Sequence, residues 1–155
     1  MPGWSKWPEM PSRLRKWLAL DWRARLRLLA MILALPVIDA SLRLWGYQAT
    51  RSWLEMSAVR NGCRKATAAD IEMGKSLATL ASIAGRHGVM EATCLRQSLL
   101  VYWWLLRVGL APELQLGVRQ TPDQLDAHAW VVLEGHALVN GAVLHKPFLR
   151  ATRPD

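Results

Sequence analysis

Just past residue 109 the spacing of apolar residues changes, and that change limits the fold more than any other feature of the chain. Leu95, Leu99, Tyr102, Trp103 and Leu106 recur every three to four positions, the repeat of a helix face. From Leu114 the period is two: Leu114, Leu116 and Val118 alternate with Gln115, Gly117 and Arg119, as in a half-buried strand. Thr121-Pro122-Asp123 reads as a loop. A second strand is predicted over residues 127–133, with His128, Trp130 and Val132 on one face. Glu134-Gly135 is a turn signal, residues 136–143 read as a third strand, and the chain from Lys146 reads as a loose tail. Helices come first and strands second, which points to an α+β fold ending in an antiparallel meander.

The helices have their own punctuation. Thr67 and Asp70 stand at capping-box spacing, with Asp in the place of the usual Glu. Leu77, Leu80, Ala81 and Ala84 then form a stripe that Gly85 and Gly88 are predicted to end, with residues 87–92 as a loop. Thr93 is the predicted N-cap of the next helix, Cys94 its first residue and Gly109 its stop. Further upstream, Leu14, Leu18, Trp22, Leu26 and Leu29 mark one helical face, and Arg13, Lys16, Arg23 and Arg27 fall largely off it. Pro36 is predicted to end or kink that helix. A second helix is predicted from about residue 39 to 60, with Leu42, Trp45, Ala49 and Trp53 as its stripe and Asn61-Gly62 as its stop.

Charge divides the chain near residue 65. Residues 1–65 hold twelve Lys/Arg against four acids, and residues 66–155 hold eight of each sign, so the whole surplus of +8 lies in the first part. Three readings of that basic, Trp-rich part stand open: a helical segment packed on the rest with a solvated face, a docking surface for a partner, or a membrane-surface helix. No nucleic-acid motif accompanies the charge, so nucleic acid is not expected as a partner. The start of the chain does not read as a secretory signal, and no apolar run reaches about 18 residues, so a spanning helix is not expected. The predicted location is the cytoplasm, peripheral to the inner face of the membrane under the third reading. Two cysteines make neither a disulfide framework nor a multi-cysteine zinc cluster, and Cys63 and Cys94 are expected as free thiols.

Three residues combine into a candidate catalytic site. A cysteine at a helix N-terminus lies where partial positive charge favours the thiolate, which makes Cys94 the candidate nucleophile. His128, on a strand, is the candidate base. If a three-residue loop (133–135) joins the second and third strands, His128 falls opposite Asn140 on the same face, and the set is Cys-His-Asn. A two-residue loop turns Asn140 to the other face. Asp126, two residues before His128, is the rival partner for the imidazole. His87, His136 and His145 have no paired ligand spacing and there is no Gly-rich phosphate loop, so neither a metal nor a cofactor is expected.

The run Cys94-Leu95-Arg96-Gln97-Ser98-Leu99-Leu100, then Leu105-Leu106-Arg107-Val108-Gly109-Leu110, Leu116-Gly117-Val118-Arg119, His128-Ala129-Trp130-Val131 and Glu134-Gly135 resembles the leader peptidases of lasso-peptide biosynthesis. These belong to the transglutaminase-like branch of the papain-like cysteine fold. The resemblance spans about residues 68–145. It implies a Cys-bearing helix packed on a small antiparallel sheet, preceded by a helical segment: a basic N-terminal region (1–65), a peptidase core (66–150) and a short tail (151–155). The implied activity is removal of the leader from a ribosomally made precursor peptide. The implied partners are that precursor, a separate leader-recognition protein and an ATP-dependent macrolactam cyclase. Two positions depart from the family pattern: Asn140 stands where Asp is usual, and Gln97 where Arg is usual, with Arg96 one residue earlier. Transglutaminase-like acyl transfer and a non-catalytic basic adaptor are the alternative functions.

Overall fold

The computed structural model describes residues 21–58, 63–87, 93–120, 125–138 and 146–151. Leu14, Leu18, the Asn61-Gly62 pair, the 121–123 loop, Asn140 and His145 lie outside them. Three helices precede the strands: α1 (Trp22–Ala58), α2 (Ala68–His87) and α3 (Cys94–Arg107). Four strands follow, β1 (Glu113–Gln120), β2 (Leu125–Leu133), β3 (His136–Ala137) and β4 (Lys146–Ala151). They form one antiparallel sheet in the order β3-β2-β1-β4. The α+β arrangement is the one the period change predicts. α3 is the central helix: it packs against α1, α2, β2 and β1.

α1 departs from the sequence expectation in two ways. It runs unbroken through Pro36, and its only non-helical residue is Gly46, at φ 75° and ψ 179°. A proline inside a helix costs about 3 kcal/mol. Met31, Leu35 and Ile38 on either side of it are all but fully buried, at about 1.5–3 kcal/mol each, and hold the helix in place. The break falls at Gly46 because that φ suits a residue without Cβ; a Cβ there would touch nothing, so backbone conformation and not space demands glycine. The second departure is orientation. Trp22, Leu26 and Leu29 of the first predicted stripe, and Trp45 and Trp53 of the second, are exposed, while Leu28, Met31, Leu35, Ile38, Leu54 and Ala58 face the core. Those core residues form one cluster with α2, α3 and the sheet, so the charge boundary near residue 65 does not divide the core.

α2 opens on the predicted box. The Thr67 N–H donates to Asp70 Oδ2 (2.9 Å), and the Asp70 N–H donates back to Thr67 Oγ1 (3.3 Å). Arg64 closes on both Asp70 oxygens at 2.7 Å each. These bonds, the Arg64 guanidinium foremost, hold the Asp70 carboxyl well below the usual carboxylate range. The helix continues past Gly85 to His87, two residues beyond the predicted first stop. Gly74 on this helix lies close against Leu138: a Cβ there would sit 2.9 Å from Leu138 Cδ1, the end of a side chain that would have to shift. α3 ends as expected. Gly109 takes φ 78°, its N–H donates to the Leu106 carbonyl and the Leu110 N–H donates to the Leu105 carbonyl, a Schellman motif.

Two findings about the sheet correct the expectation. Glu134 and Gly135 form the whole turn, at φ 48° and 77°, as a type I′ hairpin requires. The register is therefore Val132↔Ala137 and Leu133↔His136, the two-residue alternative, and the Leu138 N–H continues it onto the Val131 carbonyl. I′ geometry matches the twist of the strands, and Glu134 tolerates it with its carboxylate accepting the Ala66 N–H (3.2 Å). The second correction is the chain from Lys146: it is a strand, β4, added to the open edge of β1 with a bulge between Leu116 and Gly117. An edge strand accommodates Pro147, whose missing N–H removes it from a central position.

Candidate active site

Cys94 is the first residue of α3, as the sequence predicts. Thr93 holds the N-cap position with extended backbone (φ −64°, ψ 162°), and its carbonyl accepts the Gln97 N–H at 3.1 Å. Its hydroxyl makes no capping bond, so no side chain of the cap takes up the first amides of the helix. The thiol is half-buried, and Sγ lies 3.9 Å from the carbonyl oxygen of Ala127 on β2, the neighbour of His128. Neither Cys63 nor Cys94 is in a disulfide, and Cys63 is exposed.

Helix and strand are joined one turn further on. Ser98, four residues after Cys94 and buried, donates its hydroxyl to the Ala129 carbonyl at 2.9 Å. That bond fixes the rotation of α3 over β2 at the level of the cysteine. A cleft of about 170 Å³ opens at this junction. Cys94, Gln97 and Ser98 line it from α3, His128 and Ala129 from β2, and Ala78 and Ala81 from α2. Cys94 and His128 both line this cleft, and its far wall is made of small side chains.

His128 alternates onto the sheet face of Trp130 and Val132, away from the core residues Ala129, Val131 and Leu133. Its ring stacks on Trp130, with centroids 6.0 Å apart and planes 20° apart. Its partner on β1 is Gly117, which puts no side chain opposite the imidazole. Asp126 stands two residues before it, at the register position of Arg119. The hairpin register that sets Asn140 opposite His128 is not the one present through Leu138, and Asn140 itself lies outside the described residues.

Three ties between α1 and α3 escaped the sequence reading. Asp39, buried inside an apolar helix, meets Arg96 Nη2 at 2.6 Å and Arg43 Nε at 2.8 Å. The Arg96 contact is an ion pair without hydrogen-bond alignment. Arg96 is two residues from Cys94, so this pair anchors the cysteine turn to α1. Tyr102, fully buried, donates to Glu55 Oε1 (2.7 Å), which also accepts from Arg51 (2.9 Å). Burial first, and then the Glu55 bond, push the Tyr102 hydroxyl far above its ordinary pKa and keep it a neutral donor. Trp103 Nε1 donates to Ser57 Oγ (3.0 Å). The available signals were polar residues on apolar faces: Asp39 ending an apolar run, and Ser98 on the cysteine stripe.

A helix that begins on a cysteine, bonded to an antiparallel strand whose histidine opens onto the same cleft, is the arrangement of papain-like cysteine peptidases and acyltransferases. The chain belongs to the transglutaminase-like superfamily, whose family model matches residues 31–152. The match begins inside α1 and runs through β4, so it covers Cys94, His128 and the whole sheet. No curated protein and no solved structure gives a significant match.

Proposed function

We propose that this chain is a cysteine peptidase that removes the leader from a lasso-peptide precursor. The observation that carries the reading is the cleft shared by Cys94, at the open end of α3, and His128 on β2. The motif series from Cys94 to Gly135 supports the narrower assignment. Cys94 Sγ attacks the scissile carbonyl carbon, and its proton passes to His128. The backbone N–H of Cys94 is a donor for the developing oxyanion. His128 then protonates the leaving amine, which frees the core peptide and leaves the leader as a thioester on Cys94. Water, deprotonated by His128, cleaves the thioester and restores the thiol. Trp130 holds the imidazole plane by stacking. Asn140 and Asp126 are the two candidates for its hydrogen-bond partner, and the two-residue turn removes the register argument that favoured Asn140. In this reading the precursor reaches the enzyme in the cytoplasm through a separate recognition protein, and a macrolactam cyclase consumes the freed amine.

The test is cleavage of a cognate precursor followed by mass spectrometry, with the recognition protein present. Cys94→Ala and His128→Ala are expected to lower the rate by roughly a thousandfold or more while melting as wild type does. Product carrying an added amine instead of a free carboxylate would assign acyl transfer. Full cleavage by Cys94→Ala would overturn the nucleophile.

A further inference from the structure

The first segment of α1 is apolar on two opposite sides. Its core side holds Leu28, Met31, Leu35 and Ile38, each no more than 3 % exposed. Its outer side holds Trp22, Leu26, Leu29, Leu33, Val37 and Leu44, exposed by 44–74 %. At about 100° per residue those six fall within a sector about 80° wide, and they extend along about 33 Å of helix. An apolar strip of that length is far more than scattered surface leucines and marks a contact surface.

Charge says what the strip meets. Arg23 borders it on one side and is exposed, its guanidinium 5.5 Å over the Trp22 ring. Arg43 borders it on the other, with its side chain 67 % exposed. The two acids within α1, Asp39 and Glu55, are tied to arginines and to the α3 contacts instead. No exposed residue between Trp22 and Trp45 is acidic. A second copy of this helix would therefore set arginine flanks against arginine flanks, which disfavours symmetric pairing. An anionic bilayer satisfies both features, because headgroup phosphates meet the arginines while the strip enters the acyl boundary and tryptophan sits at the interface.

We propose that the Trp22–Leu44 face of α1 docks on the surface of an anionic membrane. By length and composition α1 is also able to cross a bilayer. Its core side is committed, however: Asp39 is paired with Arg43 and Arg96, and spanning would pull those charges and α3 into hydrocarbon. The helix lies in the interface with the α3 cleft held on the protein side. This inference stands apart from the peptidase reading.

The test is sedimentation of the full chain with vesicles of phosphatidylcholine alone and of phosphatidylcholine with phosphatidylglycerol. The expected result is binding to the anionic vesicles that weakens with salt. The double variant Leu29→Glu/Leu33→Glu should lower partitioning by roughly tenfold or more without moving the melting temperature. Equal binding of wild type and the variant would overturn the proposal, as would no pelleting by wild type. A wild-type dimer that the variant makes monomeric, with no vesicle binding by either, would assign the face to a second copy and overturn it as well.

Discussion

α1 and α3 are both leucine-rich helices in the same core, and they reveal their orientation very differently. α3 carries an apolar stripe that includes Leu99, Tyr102 and Leu106, and those residues are buried, but so are Leu100, Val101 and Leu105 off the stripe, because α1, α2 and the sheet surround this helix. α1 carries two stripes on opposite sides, and the more regular one, from Trp22 through Leu26 and Leu29, faces outward. A helix enclosed by its neighbours buries its stripe together with its other sides, whereas α1 leaves one side to solvent. With two stripes, the choice rests on which side the neighbouring elements complement, here α3 and α2. Periodicity therefore reports orientation only when the opposite face is polar.

The sharpest way to break this comparison is a pair of leucine truncations. Leu105→Ala on α3 removes a fully buried side chain and is expected to cost about 3 kcal/mol in urea unfolding. Leu33→Ala on α1, at a position 72 % exposed, should stay within about 0.5 kcal/mol of wild type. Equal losses would mean that the outer strip of α1 is part of the fold. A smaller effect is expected at the tie between the two helices. Asp39→Asn leaves Arg96 partly buried without its counter-charge and should cost about 2 kcal/mol by the same measurement. It should also slow precursor cleavage, since Arg96 is two residues from Cys94; unchanged cleavage would show that the pair stabilises α3 without positioning its first turn.

The smallest effect is expected at the start of α2, and pH exposes it. Asp70 has its pKa lowered in the folded chain, so it binds protons less readily there than when unfolded. Its contribution is present above the unfolded carboxylate value and disappears as pH falls through the folded one. Acid titration of wild type and Asp70→Asn should show a gap at neutral pH that closes under strong acid. A gap independent of pH would remove the ionised Arg64–Asp70 pair as its source.

Much of the site was legible because its signals are local. The N-cap position of Thr93 places Cys94 at the head of a helix, and alternation through Trp130 places His128 on a strand. The Thr67–Asp70 spacing places a box that forms with both reciprocal bonds. Illegible were features that compare remote alternatives. Whether Glu134-Gly135 closes the hairpin alone, or with Leu133, depends on strand twist across the pair, and that single residue moves Asn140 from one sheet face to the other. Asp39 and Arg96 are 57 positions apart, and nothing in either neighbourhood announces the pair.

The sequence by itself determined the order of helices and strands, the ends of α3, the placement of a cysteine and a histidine on elements able to meet, and the basic surplus in the first 65 residues. Only the tertiary structure decided which side of α1 is inside, that the chain from Lys146 completes the sheet, and that Ser98 and Asp39 hold the cysteine turn in place. The reason is range. Caps, turns and periodicity act within a few residues, whereas a two-faced helix, an open strand edge and a buried charge take their places from partners far along the chain.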